Sequence, residues 1–244
     1  MNGAATAGAV PGGREVRRMA KTSANRSAWG VAEQRRESRI PATIALLVSI
    51  AIQFKLPDPY ALGPVWLLPS LELAILIPLT LIAPVRVPVE SHVKQIAAML
   101  LIALAQLANL VALVHLVQVL VYHGKSVTGD TLLLAAVGIW VTNVIVFSLW
   151  YWELDRGGPD ARMREDHDAP DFLFPQMTTP GCANEDWAPA YFDYFYLAYT
   201  NATAFSPTDT LPLSPMAKAM MALQSTASLV VIAIVAARAV NILT

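Results

Sequence analysis

The chain has 244 residues, 55% of them hydrophobic and 14% charged, with a mean hydropathy of +0.48 and a net charge of −1. A soluble domain carries about 25% charged residues, and here the apolar residues come in long blocks, so the composition excludes an ordinary soluble domain and points to one integral membrane domain. The near-zero net charge hides an asymmetry: residues 1–39 carry +5, and residues 153–193 carry −7. The single cysteine, Cys182, excludes an intramolecular disulfide and a cysteine-based zinc site.

Residues 1–39 are rich in Ala, Gly, Ser and Arg, without apolar period, and read as a disordered basic tail on the cytoplasmic face. Met19 opens MAKTSANRSAW and reads as a plausible true start. Residues 40–152 read as a four-span helical region: Ile40–Phe54, short for a span of about 20 residues, then Pro64–Ala83, Val93–Tyr122 and Thr131–Trp152. The last of these ends in WYWELDRGG, an aromatic belt followed by charges and a Gly-Gly stop. Residues 153–190 form a polar acidic loop, expected to be largely irregular and solvated, and residues 191–244 hold an amphipathic stretch, a short loop and a last span, Met216–Leu243. Lys and Arg in the tail and in the 84–95 joint place both on the cytoplasmic side of a bacterial inner membrane. With five spans, the acidic loop then falls inside and the C-terminus outside.

Residues 191–215 carry the most distinctive pattern. YFDYFYLAYTNATAFSPTDT resembles the pore helix and filter of the tetrameric cation channels, an aromatic amphipathic helix followed by Thr-Val-Gly-Tyr-Gly-Asp, a Pro and an inner helix. Aligned without gaps, Ala204-Phe205-Ser206-Pro207-Thr208 fall on the five filter positions, Asp209 on the Asp that follows and Pro212 on the Pro. A potassium filter is a ladder of backbone carbonyls whose glycines take angles other residues avoid. Ser206 and Thr208 replace both glycines and Pro207 fixes its own φ, so a selective potassium pore is not expected. The chain also resembles a bacterial membrane-protein family known only as a domain of unknown function. That family has four or five spans, an acidic loop and an aromatic-Ser-Phe-Thr-x-Gly-x-Thr-Phe-x-x-Ser-Asp-Thr motif before the last helix. Tyr199, Thr200, Phe205, Thr208, Asp209 and Thr210 match the motif, and Ala202 and Ala204 depart from it. This resemblance covers the last two-thirds of the chain and implies a fold group without an activity. On the residues alone, the same stretch also reads as a re-entrant or interfacial helix, with Thr208, Asp209 or Thr210 capping the helix that follows.

Polar groups inside spans need a partner or a purpose. Glu72 and Arg238 are the two intramembrane charges, expected to pair with each other, with Gln106 or Asn109 as other partners for Glu72. Gln106, Asn109, His115 and Gln118 on the third span read as helix-to-helix glue. On the last span Ala217, Met221, Gln224, Ser228, Val231, Val235 and Arg238 form one stripe, which faces a central pathway in an oligomer or packs on the bundle in a monomer. EDHDAPD (165–171) has metal-ligand residue types without a spacing that fixes them, so no metal site is assigned. No nucleophile with its base and no nucleotide fingerprint is present, so neither an enzyme nor a cofactor is expected.

The expected protein is therefore all-α: an integral membrane bundle of about five transmembrane helices with a re-entrant pore-type helix before the last. Its expected function is that of a homo-oligomeric, pore-loop-like membrane protein without potassium selectivity. Its partners would be membrane lipid and monovalent cations, not nucleic acid. Asn201, Thr203, Ser206, Thr208, Asp209, Gln224 and Ser228 are the pore-lining candidates. The alternative is a non-conducting accessory protein that binds a partner through its acidic loop.

Overall fold

Pro41 sits in the first turn of helix α1 (Ile40–Lys55), where no amide partner is lost, and Lys55 meets the negative end of the helix. The computed structural model describes residues 38–56, 66–82, 91–123, 128–162, 168–179, 181–183, 187–203 and 209–243. The further helices are α2 (Leu67–Ile82), α3 (Ser91–His123), α4 (Gly129–Leu154), α5 (Tyr191–Ala202) and α6 (Pro215–Leu243). Three stretches, Gln95–Tyr122, Gly129–Gly157 and Pro215–Ala237, are long and apolar enough to cross a membrane, while α1 and α2 are apolar but shorter. Among the described residues the one small sheet is a two-residue antiparallel ladder, β1 (Phe172–Leu173) and β2 (Leu211–Pro212), with Phe172 opposite Pro212. The protein is an all-α helical bundle embedded in a membrane.

α4 is the central helix. It is apolar on nearly every face, as a helix buried all round must be, and it packs against α1, α3, α5 and α6. Gly138 lets α1 come close, because a Cβ there would lie 3.2 Å from the Ile52 side chain. Arg39 pairs with Asp160 at 3.0 Å, Gln95 Nε2 donates to the Gly157 carbonyl at 2.7 Å, and Leu213 N donates to the Asp171 carbonyl at 2.7 Å. These contacts put the starts of α1, α3 and α6 and the end of α4 at one end of the bundle. Successive spans thus run antiparallel.

The segment after α4 departs from the expected solvated loop. Phe172, Phe174 and Met177 are buried in the aromatic core with Tyr151, Trp152 and Tyr194. Asp155 and Arg156 are buried beside each other, 3.7 Å apart. Arg162 Nη1 reaches back to the carbonyls of Trp152 (2.7 Å) and Asp155 (3.0 Å), which places a cation at the negative end of α4. The same guanidinium stacks over the Trp152 and Tyr194 rings. Helix-end satisfaction, which composition does not report, is why this acidic stretch folds. Nor do Tyr151 and Trp152 form part of an outward aromatic belt, since both rings turn into the core. Residues 1–37, most of the expected tail, lie outside the described residues, and Arg39 is the N-cap of α1.

Candidate functional site: a re-entrant helix and its polar seat

α5 starts at the end of the bundle where α4 finishes. Ala190 N donates to Asp193 Oδ2 at 2.8 Å, closing the first turn. The Tyr191 hydroxyl shares a 2.7 Å hydrogen bond with Ser148, and Tyr191 packs edge-on against Trp152. The Tyr194 hydroxyl donates to Asp155 Oδ2 at 2.5 Å, and Asp155 Oδ1 accepts from Asp171 N at 2.8 Å. Tyr194→Phe is therefore expected to lower unfolding stability by about 1.5 kcal/mol in detergent, as loss of a bond to a charged partner does. Thermal unfolding in parallel with wild type checks this.

The other end of α5 lies deep. The Ala202 carbonyl accepts from Trp140 Nε1 at 3.5 Å, and Trp140 is about 20 Å from the Leu154 end of α4 at about 1.5 Å per residue. The Asn201 carbonyl accepts from Ser225 Oγ at 3.4 Å, and Ser225 lies about 15 Å into α6 by the same rise. With a hydrocarbon core about 30 Å thick, α5 ends near mid-bilayer. The chain then returns to its starting end, where β2 pairs with β1.

A helix that stops in a membrane must find partners for its last carbonyls. Each of the four is satisfied within the chain. Tyr199 O accepts from Thr203 N (3.1 Å) and Thr200 O from Thr203 Oγ1 (3.0 Å). Ser225 and Trp140 take the other two. Beneath this cap lies a polar seat. Asn201 Nδ2 donates to Gln224 Oε1 (2.7 Å) and to Met221 O (3.0 Å), while Asn201 Oδ1 accepts from Ser225 Oγ (2.9 Å). Gln224 Oε1 also accepts from the Tyr151 hydroxyl (2.6 Å), and Gln224 Nε2 donates to Ala198 O (2.8 Å). Asn143 Nδ2 reaches Ser228 Oγ at 2.8 Å, linking α4 to α6.

Three pore-lining candidates, Asn201, Gln224 and Ser228, thus meet in one place, but inside the subunit and already bonded. The predicted stripe is real: Ala217, Met221, Gln224, Ser228 and Val231 are all buried. It packs on the bundle because α4 and α5 supply matching polar groups. Thr203 caps α5, and Asp209 is exposed in a bend two residues before β2. Ser206 and Thr208 lie outside the described residues, as does the side chain of Arg238. The cap of α6 is none of Thr208, Asp209 and Thr210, because Ser214 Oγ accepts from Ala217 N at 3.1 Å with Pro215 as the first helical residue. Glu72 takes its hydrogen bonds from Gln53 Nε2, at 3.0 and 3.1 Å, rather than from Gln106 or Asn109.

Sequence reasoning missed Tyr151, Asn143, Trp140, Ser225 and Gln53. One signal was present: a helix ending in the bilayer demands donors, and Trp140 and Ser225 are donors on neighbouring spans. No family model, curated protein or solved structure matches the chain.

Proposed function

We propose that this chain is a homo-oligomeric protein of the bacterial inner membrane whose re-entrant helix and return segment act as a pore-loop-like element, passing monovalent cations without potassium selectivity. The observation that supports it is the direction of α5, which points its carbonyl end at mid-bilayer depth before the chain turns back. A helix C-terminus carries negative partial charge, which favours a cation. Irregular backbone at that depth is tolerated only where protein covers it or water lines it. Asp209, exposed on the way back, adds a carboxylate on the path. The lost filter glycines speak against potassium selectivity, and the basic residues near the start of α1 speak for a cytoplasmic N-terminus. Membership of the bacterial family named above belongs to the same proposal. Chemistry on a substrate, a cofactor and nucleic acid have no place in it.

The closed seat of Asn201, Gln224 and Ser228 favours a second reading, in which α5 is a packing element of a non-conducting accessory protein and the acidic loop holds a partner. Ion flux into liposomes separates the two. The pore-loop reading expects flux of Na+ and K+ alike through wild type, falling several-fold in Asp209→Asn. Silent liposomes holding folded protein, or a strict monomer in mild detergent, would leave the accessory reading.

A further inference from the structure

Glu72 on α2 is 0% exposed, inside an apolar helix, and is bonded to none of the residues of the α5 seat. Its two oxygens share one donor, Gln53 Nε2 of α1, at 3.0 and 3.1 Å. An ionised carboxylate accepts about four hydrogen bonds, and at membrane depth an under-bonded charge is expensive. The neighbouring helices carry two buried oxygens with spare capacity to accept, neither of them bonded to Glu72. Ser49 Oγ is buried without a partner among the described residues, and Ser49 stands at i,i+4 to Gln53 on the same face of α1. Gln106 Oε1, a second buried acceptor without a partner, lies on α3, which packs against α2. One neutral helix-bridging residue on a buried acid, with no cation bonded to that acid among the described residues, forms a place for a proton rather than for an ion pair. We propose that Glu72 is an exchangeable proton site in the membrane, bridged to α1 by Gln53 and independent of the pore-loop reading.

The titratable side chains described on the helices that pack against α2 are Lys55 on α1 and His115 and Tyr122 on α3. Lys55 and Tyr122 are exposed, and Lys55 is two positions from Gln53, so it leaves α1 on another face. His115 lies more than two turns along α3 from Gln106. None of the three is bonded to Glu72, so the carboxyl titrates against its neutral neighbours.

The test is labelling of the full chain in liposomes by dicyclohexylcarbodiimide, an apolar reagent. A protonated carboxyl adds across its C=N bond, the oxygen joining carbon and the proton joining nitrogen, and the adduct rearranges to a stable acylurea. Peptide mass spectrometry locates it. The expected result is an adduct on Glu72 that is absent from Glu72→Gln. Its rate should fall about tenfold for each pH unit above a midpoint, as the protonated fraction does. Localisation on wild type stands even where that variant fails to fold. A labelling rate that ignores pH would mark a permanently neutral structural acid and overturn the proposal. So would folded protein that takes no label at Glu72.

Discussion

Replacing Gln224 by alanine is expected to lower the unfolding stability of the protein in mixed micelles by about 2–4 kcal/mol. Its side chain makes three hydrogen bonds, from Tyr151, from Asn201 and to the Ala198 carbonyl. Buried side-chain bonds between membrane helices contribute about 0.6–1.7 kcal/mol each, and the truncation also leaves the Tyr151 hydroxyl proton without its acceptor in the core. The deep end of α5 keeps the buried Leu197, Ala198 and Ala202, the bond from Asn201 to Met221 O and the bond from Trp140, so the lost bonds loosen this end without freeing it outright. The loss should appear first as loosening of α5, seen as proteolysis near residue 203 before global unfolding. Ser228→Ala removes one bond at the edge of the same seat and is expected to cost under about 1 kcal/mol. Equal losses for the two variants would show that Gln224 is not the hub.

The second large effect is at Gly158. Its φ of 95° and ψ of 176° lie where only glycine is at ease. A Cβ there would sit 2.9 Å from the Glu153 carbonyl, backbone of the last turn of α4 that cannot move aside. The turn it allows is structural. Gly158 O accepts from Ala161 N and Arg162 N, which brings the Arg162 guanidinium back over the end of α4. Arg156, two residues earlier, already holds a φ of 56°, rare outside glycine. Gly158→Ala is expected to cost about 3 kcal/mol from the strained angle and the clash together. Gly181→Ala is the matched control: its φ is also positive, at 78°, but nothing lies within 4 Å of the added carbon. That substitution should cost about 1 kcal/mol. Chemical unfolding of both variants beside wild type gives the comparison, and similar losses would remove the close contact from the explanation.

The spans were legible because the bilayer writes them in long apolar runs. Thr131–Trp152 was expected and Gly129–Leu154 is found, and Met216–Leu243 became Pro215–Leu243. The buried face of α6 was legible too, since Ala217, Met221, Gln224, Ser228 and Val231 keep one helical period. What that face meets was not, because a single period says which side is special and nothing about the neighbour. The stretch from Asp155 to Met177 was misread for a related reason. Among its described residues, Asp155 lies beside Arg156 and accepts from Tyr194 and Asp171 N, and Arg162 satisfies the end of α4, so charge there marks a folded corner instead of a solvated loop. Glu72 announced itself as a buried acid, but its partner Gln53 lies on a separate helix whose register the sequence does not state.

The proposed function depends on α5 entering the membrane and stopping there. Its outer face carries Phe192, Tyr196 and Tyr199, all exposed and in one helical row. With Cys182 replaced by serine, a spin label placed in turn at Phe192→Cys, Tyr196→Cys and Tyr199→Cys reports depth in the bilayer by its relaxation with apolar oxygen and a polar nickel chelate. A re-entrant α5 predicts steadily greater depth along the three positions, by about 10 Å in total at about 1.5 Å per residue. Three labels at one shallow depth would mean that α5 lies along the interface, and would contradict both the fold assigned to this segment and the function proposed from it.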